Sequence, residues 1–124
     1  GDFDACLWAA SNQPAVGNVY LVGDSNASQL SDGLLRASDE LNLNATILTR
    51  SACPFAALEV SHDGRSSTDC RAFLKEVQER LRSSAPEVVV VATAADVYIN
   101  DSRSYHWRSD SGASIDSTAD RAAA

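Results

Sequence analysis

The sequence predicts an α/β domain in which helices flank a parallel sheet. Three observations predict it: short apolar runs rich in β-branched residues, helical patterns between them, and the regular alternation of the two. Right-handed crossovers would then set neighbouring strands side by side. The 124 residues, of which 44% are hydrophobic, correspond to one compact domain or to part of one.

The first strand and the first helix follow each other directly. Asn18–Val22 is a β-rich run that ends at Gly23. Gly33 lies within the helical pattern that follows, and because glycine costs a helix about 1 kcal/mol relative to alanine, it predicts close packing there. The predicted apolar face of this helix holds residues at spacings of three and four, namely Ala27, Leu30, Leu34, Ala37 and Leu41.

The second half of the pattern repeats this order. Ala45–Thr49 is predicted to be the second strand, and residues 50–68 lack periodicity and are predicted to form a long loop. Asp69 is suited to cap the next helix. The four valines of Glu87–Ala92 predict a strand covered on both faces. The second helix has an apolar face of Cys70, Phe73, Leu74, Val77 and Leu81.

The domain core is predicted to span residues 18–100. Residues 101–124 are predicted to be a polar surface excursion followed by the start of a further helix. Because the chain has no methionine and ends where that helix would begin, we expect it to be a piece of a longer protein.

Charge and composition exclude several function classes. The chain has 10 Lys and Arg against 17 Asp and Glu, a net charge of −7, which predicts no nucleic-acid partner. No Cys or His cluster has metal-ligand spacing, so we expect no metal. The longest largely apolar run, Val88–Ala95, contains one threonine and is far shorter than the roughly 20 residues that span a bilayer.

The three cysteines, Cys6, Cys53 and Cys70, leave at least one without a partner in the chain. Cys53 precedes Pro54 in the predicted loop, and Cys70 opens the second helix. A bridge between them would contribute about 3 kcal/mol in the chain-entropy model. The residues alone leave bridged and reduced cysteines equally open.

Ser25 is the candidate for chemistry, because it follows the first strand. Ligands of open α/β sheets bind beyond the carboxyl ends of the strands. The N–H groups at a helix N-terminus can stabilise the oxyanion that forms when a serine attacks an ester. The alternative is that Ser25 only caps the helix in an ordinary turn.

Gly23-Asp24-Ser25-Asn26 after a strand resembles the first block of the SGNH, or GDSL-type, esterase and acyltransferase superfamily. Thr49–Phe55 and Cys70 extend the resemblance to the extracytoplasmic SGNH domain fused to bacterial membrane sugar O-acyltransferases (acyltransferase type 3). The likeness covers residues 19–100, about two-thirds of the chain. It implies a three-layer α/β/α, flavodoxin-like fold that is incomplete at the C-terminus of this chain.

The resemblance implies a role for each matching site residue. Ser25 corresponds to the nucleophile, which also donates its backbone N–H to the oxyanion hole, and Asp24 to the acid that braces the turn. Ala52 stands at the glycine of the second block, whose N–H is an oxyanion donor. Alanine keeps that N–H, so the role survives if the local backbone does not require a positive φ. Thr93 stands near the position at which the family's third block has an Asn that donates to the oxyanion. Thr93 is either a substitute for that donor or only a hydroxyl at the end of a strand.

The resemblance also implies the state of the cysteines. Cys53 and Cys70 correspond to the family's disulfide pair, which predicts a bridge, an oxidising compartment and Cα atoms within about 7 Å of each other. Cys6 is expected to bond to neither.

The general base of the family is the His of an Asp-x-x-His block, which this chain does not contain. Its two histidines, His62 and His106, do not match the family order. Because a serine without a positioned base is a poor nucleophile, the chain by itself is expected to be nearly inactive.

The resemblance finally implies an activity. It is serine-dependent O-acyl transfer or ester hydrolysis, with acetyl as the acyl group, on cell-envelope glycans. No cofactor is needed, and the partners are a glycan or acyl-ester substrate and an attached membrane acyltransferase domain. The place is the extracytoplasmic face of a bacterial membrane. Two alternatives stay open: a catalytically silent glycan-binding module, and a cytosolic flavodoxin-like domain in which Ser25 is only a cap.

Overall fold

A computed structural model describes residues 6–55, 59–62, 68–94, 105–108 and 114–115. The helices are α1 (Ser25–Gln29), α2 (Ser31–Glu40) and α3 (Thr68–Ser84). The strands are β1 (Cys6–Trp8), β2 (Gly17–Gly23), β3 (Leu43–Thr49), β4 (Glu59–His62), β5 (Val88–Ala92), β6 (Tyr105–Arg108) and β7 (Ser114–Ile115).

The main sheet has the strand order β1-β3-β2-β5. The predicted parallel sheet is confirmed for β3, β2 and β5, because β2 runs parallel to both of the others. The antiparallel strand β1, which was not predicted, adds to the outer side of β3. Gly23 lies opposite Thr49 on one side and Ala92 on the other, so the three parallel strands end at the same level.

Helices cover both faces of this sheet, which confirms the α/β/α layers. Successive residues of β2 point to opposite faces, and both faces are apolar, as in buried parallel strands. One face packs against α3 through Tyr20, Val22, Leu48, Phe73, Leu74 and Val77. The other packs against α1 and α2 through Leu21, Ala27, Ile47, Leu34 and Leu35.

The single helix predicted over residues 27–41 is instead two helices. Leu30 is the C-cap of α1 and the N-cap of α2. A face counted along one continuous helix therefore does not hold across the break, and Leu30 and Leu41 are 50% and 66% exposed. The buried position in α2 is Ser38, whose hydroxyl donates to the Leu35 carbonyl at 2.9 Å.

Two predictions about packing are wrong. Gly33 is exposed, and a Cβ built on it has no neighbour within 4 Å. The strand β5 is not covered on both faces, because Val88, Val89 and Val91 are 41–48% exposed. In the described sheet β5 has one partner strand, β2. A run of valines indicates an apolar strand, but it does not indicate that the strand lies at the centre of the sheet.

A second, antiparallel sheet has the order β4-β6-β7 and was not predicted. Glu59 pairs with Arg108, and Trp107 pairs with Ile115. The predicted long loop therefore contains β4, and the predicted polar excursion contains β6 and β7. The helix start expected near the end of the chain, at residues 117–124, lies outside the described residues.

Candidate active site

The carboxyl ends of β2, β3 and β5 form the edge where the sequence places the site. The chain leaves β2 toward β3 on one side and later returns to β5 on the other. Such a reversal of strand order is the point at which open α/β sheets bind their ligands. Residues 24–25, which follow β2, and residues 93–94, which follow β5, flank this point.

Ser25 is the first residue of α1, and it is exposed. The N-cap is Asp24, whose Oδ1 accepts a hydrogen bond from the Asn26 N–H at 2.9 Å. The alternative in which Ser25 caps the helix is therefore wrong. Among the described residues no partner forms a hydrogen bond with the Ser25 hydroxyl, which leaves it available to a ligand.

Asp24 is 0% exposed and links two segments of the edge. Its Oδ2 accepts hydrogen bonds from Thr93 Oγ1 at 2.8 Å and from the Ala94 N–H at 2.7 Å. A buried carboxylate is tolerated when donors satisfy its oxygens, and hydrogen bonds to a charged acceptor are the stronger ones. The carboxylate thus fixes the first turn of α1 against the segment that follows β5.

Gly23 is the residue that lets these segments approach. Its φ is +152°, and a Cβ built on it would lie 1.8 Å from the Ala92 carbonyl oxygen. A contact under 3.0 Å with backbone requires a shift of the strand. Only glycine fits here, so the turn that presents Ser25 depends on close contact between β2 and β5.

Ala52 lies at the same edge, after β3. The turn that contains it is joined to β2 by the Arg50 N–H, which donates to the Gly23 carbonyl at 3.0 Å. Ala52 is half-buried, and its φ is +56°. The backbone does therefore adopt the left-handed conformation that suits glycine, and alanine occupies it here. A contact between the Ser25 hydroxyl and the Ala52 N–H stays a prediction.

The predicted disulfide is present. Cys53 and Cys70 are bonded with a Cα–Cα distance of 5.4 Å, and both belong to the buried cluster between the sheet and α3. Cys6 is free and exposed, as expected. The bridge joins the turn after β3 to the first turn of α3.

Thr93 stands at the end of β5, where the site prediction offered two roles. Its hydroxyl has a single hydrogen, which forms the hydrogen bond that Thr93 donates to Asp24 Oδ2. In this arrangement the hydroxyl serves as a strand-end contact. The oxyanion role of Thr93 stays a prediction that requires the hydroxyl to leave Asp24.

The two histidines lie in the second sheet. His62 ends β4 and pairs with Tyr105, while His106 belongs to β6 and pairs with Ser61. The structure thus gives each a place in a strand rather than in a loop. That neither acts as the base for Ser25 stays a prediction.

Sequence reasoning missed two contacts of this edge. The Ala94 N–H donates to Asp24, and Arg50 forms an ion pair with Asp69, with Nη2 3.3 Å from Oδ2. The signal for the first was the Asp24 carboxylate at a strand–helix junction, a favoured N-cap. No local signal announced the second, because its partners belong to different elements.

Two negative findings apply to the part of the chain that the structure describes. There, no group of three or more His, Cys, Asp or Glu side chains is placed to hold a metal ion. No helix in those residues is both long enough and apolar enough to cross a membrane.

Comparison with known proteins identifies the family of the chain. A family model described as "SGNH domain (fused to AT3 domains)" matches residues 1–124. Neither the curated proteins nor the solved structures contain a match. Because the family model covers the whole sequence, the chain belongs to the SGNH domain family whose members are fused to AT3 domains.

Proposed function

We propose that the domain carries out O-acyl transfer or ester hydrolysis with Ser25 as the nucleophile. The family gives the coarse statement, a module related to acyl transfer and ester cleavage. The observation that supports the role of Ser25 is that two neighbouring residues of the turn after β2 have different roles. Asp24 caps the helix, and Ser25 is left exposed at its N-terminus.

The proposed reaction has two halves. Ser25 Oγ loses its proton to a general base and attacks the acyl carbonyl, so that a carbon–oxygen bond forms and the carbonyl oxygen becomes an oxyanion. Collapse of this intermediate expels the alkoxide, which takes the proton from the base. A sugar hydroxyl or a water molecule then repeats the attack on the acyl-serine and restores Ser25.

The oxyanion would be stabilised by backbone N–H groups of the two turns. Ser25 is the first residue of α1, and the N–H groups of a helix's first turn have no partner within the helix. The backbone N–H groups of Ser25 and Ala52 are the proposed donors. Removing one such donor typically lowers kcat by about 10²–10³-fold.

The proposed substrate is an acetylated cell-envelope glycan, and the proposed partner is an attached AT3 acyltransferase domain. The fusion that defines the family supports the partner. The Cys53–Cys70 bridge supports the extracytoplasmic face of a bacterial membrane, because disulfides persist in oxidising compartments. A cytosolic flavodoxin-like domain would have neither feature.

A catalytically silent glycan-binding module is the second candidate. It is favoured by the Thr93 hydroxyl, which donates to Asp24 at the place where the resemblance implies an oxyanion donor. The chain also contains no Asp-x-x-His block. Such a module would position the glycan for the attached acyltransferase.

The test is hydrolysis of p-nitrophenyl acetate by the full-length protein. Ser25→Ala is expected to lower kcat by at least about 10³-fold, as loss of a nucleophile does in serine hydrolases. Ser28→Ala is the matched control, because Ser28 is an exposed serine of the same helix. Hydrolysis that survives Ser25→Ala overturns the mechanism. Unchanged glycan binding without such hydrolysis establishes the silent module.

The 124-residue chain by itself is expected to retain only a trace of that activity. Loss of general-base assistance costs on the order of 10²–10⁴ in rate. Strong activity of this chain that disappears in His62→Gln or His106→Gln would identify that histidine as the base.

A further inference from the structure

Ala52, at the edge of the sheet, has a backbone conformation that an alanine side chain disfavours. A left-handed φ of +56° is unfavourable for alanine, which prefers the right-handed region. Such conformations persist where the surrounding structure determines them. Something outside Ala52 therefore holds it.

Two anchors flank the pair Ser51 and Ala52. On one side, Arg50 is joined to β2 through the Gly23 carbonyl and to α3 through its ion pair with Asp69. On the other side, Cys53 is fully buried and bonded to Cys70. The backbone between the anchors has two residues in which to make its turn.

The two anchors differ in strength. The Asp69 side chain is 80% exposed, and exposed ion pairs contribute little because water screens them and the side chains lose entropy. The bridge is covalent, and both of its cysteines belong to the buried cluster that contains Tyr20 and Phe73. The bridge is thus the anchor that can impose a conformation on its neighbour.

We propose that the Cys53–Cys70 bridge is a positioning device: it holds Ala52 in the left-handed conformation that directs its N–H toward the oxyanion. Cys53 and Cys70 are then positioning residues that act through Ala52. The conformational half of this inference stands on the backbone alone, whereas the catalytic half rests on the proposed function.

A four-protein cycle tests the conformational half in the full-length protein. Its members are the parent, Ala52→Gly, Cys53→Ala with Cys70→Ala, and the triple variant. With the bridge, Ala52→Gly relieves an unfavourable φ and is expected to raise the midpoint temperature for proteolysis of the SGNH domain by about 4 °C. Without the bridge, Ala52 can relax, and the same change is expected to give no increase. An equal increase in both backgrounds overturns the proposal.

The same four proteins test the catalytic half through kcat for p-nitrophenyl acetate. Loss of the bridge is expected to lower kcat by about 10²-fold with KM little changed, as loss of one oxyanion donor does. Glycine at position 52 reaches the left-handed region freely. In the protein without the bridge, Ala52→Gly is therefore expected to raise kcat by about tenfold. If kcat falls equally with alanine and with glycine at 52, the bridge acts on stability alone and the proposal fails.

Asp69→Asn is the matched control, because it removes the neighbouring ionic anchor of the same turn. It is expected to leave both kcat and the effect of Ala52→Gly unchanged. If Asp69→Asn lowers kcat as much as removal of the disulfide does, the bridge is not the stronger anchor. Failure of the proposed function is recognised separately. In that case no variant shows Ser25-dependent hydrolysis, and the proteolysis cycle still decides the role of the bridge.

Discussion

The turn after β2 and the turn after β3 lie side by side at the edge of the sheet, yet they are held in different ways. The first has a glycine where the backbone needs one, and a buried carboxylate fixes it through hydrogen bonds to residues after β5. The second has an alanine at φ +56° and is joined to α3 by a disulfide. The first turn depends on contacts within the sheet, and the second on a covalent bond to a helix.

This difference predicts where each turn is sensitive. A change in the first turn disturbs the pairing of β2 with β5 and so affects the whole domain. A change in the second turn can be absorbed within the loop, because the sheet does not depend on Ala52. Substitutions in the two turns should therefore differ in their effect on the free energy of unfolding.

The largest effect is expected for Gly23→Ala. The new methyl group would lie 1.8 Å from the Ala92 carbonyl oxygen, which is backbone and cannot rotate away. We expect a loss of at least about 4 kcal/mol in the free energy of unfolding, or failure to fold. Urea denaturation measures it, and a loss below about 1 kcal/mol would show that β5 is free to move.

Asp24→Ala is expected to have the next largest effect. It removes the acceptor of the hydrogen bonds from Asn26, Thr93 and Ala94. Partly buried donors left without a partner should cost about 3 kcal/mol in the free energy of unfolding, again measured by urea denaturation. Asp24→Asn is the control, since asparagine also caps helices, and should lose less. Equal losses would mean that only the negative charge matters.

Gly33→Ala compares Gly23 with a glycine at which a side chain would meet no neighbouring atom. Gly33 lies within α2, and a Cβ there meets no atom within 4 Å. The variant is expected to gain about 1 kcal/mol, because alanine has a higher helix propensity and restricts the unfolded chain. A loss in the same denaturation experiment would indicate a contact of this position that the described residues do not show.

The smallest effect concerns two exposed carboxylates, in contrast to the buried Asp24. The pKa of Asp39 lies below its ordinary value of 3.8, because its carboxylate accepts two hydrogen bonds from Ser11. The larger effect comes from the backbone N–H of Ser11 and the smaller one from its hydroxyl. The backbone N–H of Asn18, followed by that of Glu87 itself, does the same for the pKa of Glu87, ordinarily 4.5. A lowered folded pKa gives stability that is present above the ordinary pKa and is lost as pH falls through the lowered one.

Stability measured between about pH 5 and pH 2 should therefore decline less steeply in Asp39→Asn than in the parent. The difference should be small, because both groups are exposed and screened by water. Parallel pH profiles would show that the Ser11 contact does not persist in solution.

The sequence was sufficient for the elements that carry their own pattern. The runs of β2, β3 and β5 and the apolar face of α3 are local properties, so their existence and parallel order could be predicted. The strand β4 could not, because what makes it a strand is its pairing with β6, far along the chain. The exposure of Val89 and Val91 likewise depends on which strand neighbours β5.

The site shows the same division. The place of Ser25 follows from the rule that parallel strands end at one edge, and the bridge followed from the resemblance. The bonds that Asp24 accepts from Thr93 and Ala94 could not be predicted, because these residues reach the carboxylate only after the fold has formed. The left-handed Ala52 could not be predicted either, because alanine gives no sign of such a conformation.

The exposed position of Ser25 has a consequence for the evolution of such domains. Since Asp24 caps the helix and Gly23 makes the turn, position 25 contributes nothing that the fold requires among the described contacts. Under the proposed function, the serine is therefore preserved by selection for its chemistry and not by selection for a folded domain. A lineage that exchanges Ser25 for alanine keeps every contact described around it and loses the proposed nucleophile in a single step.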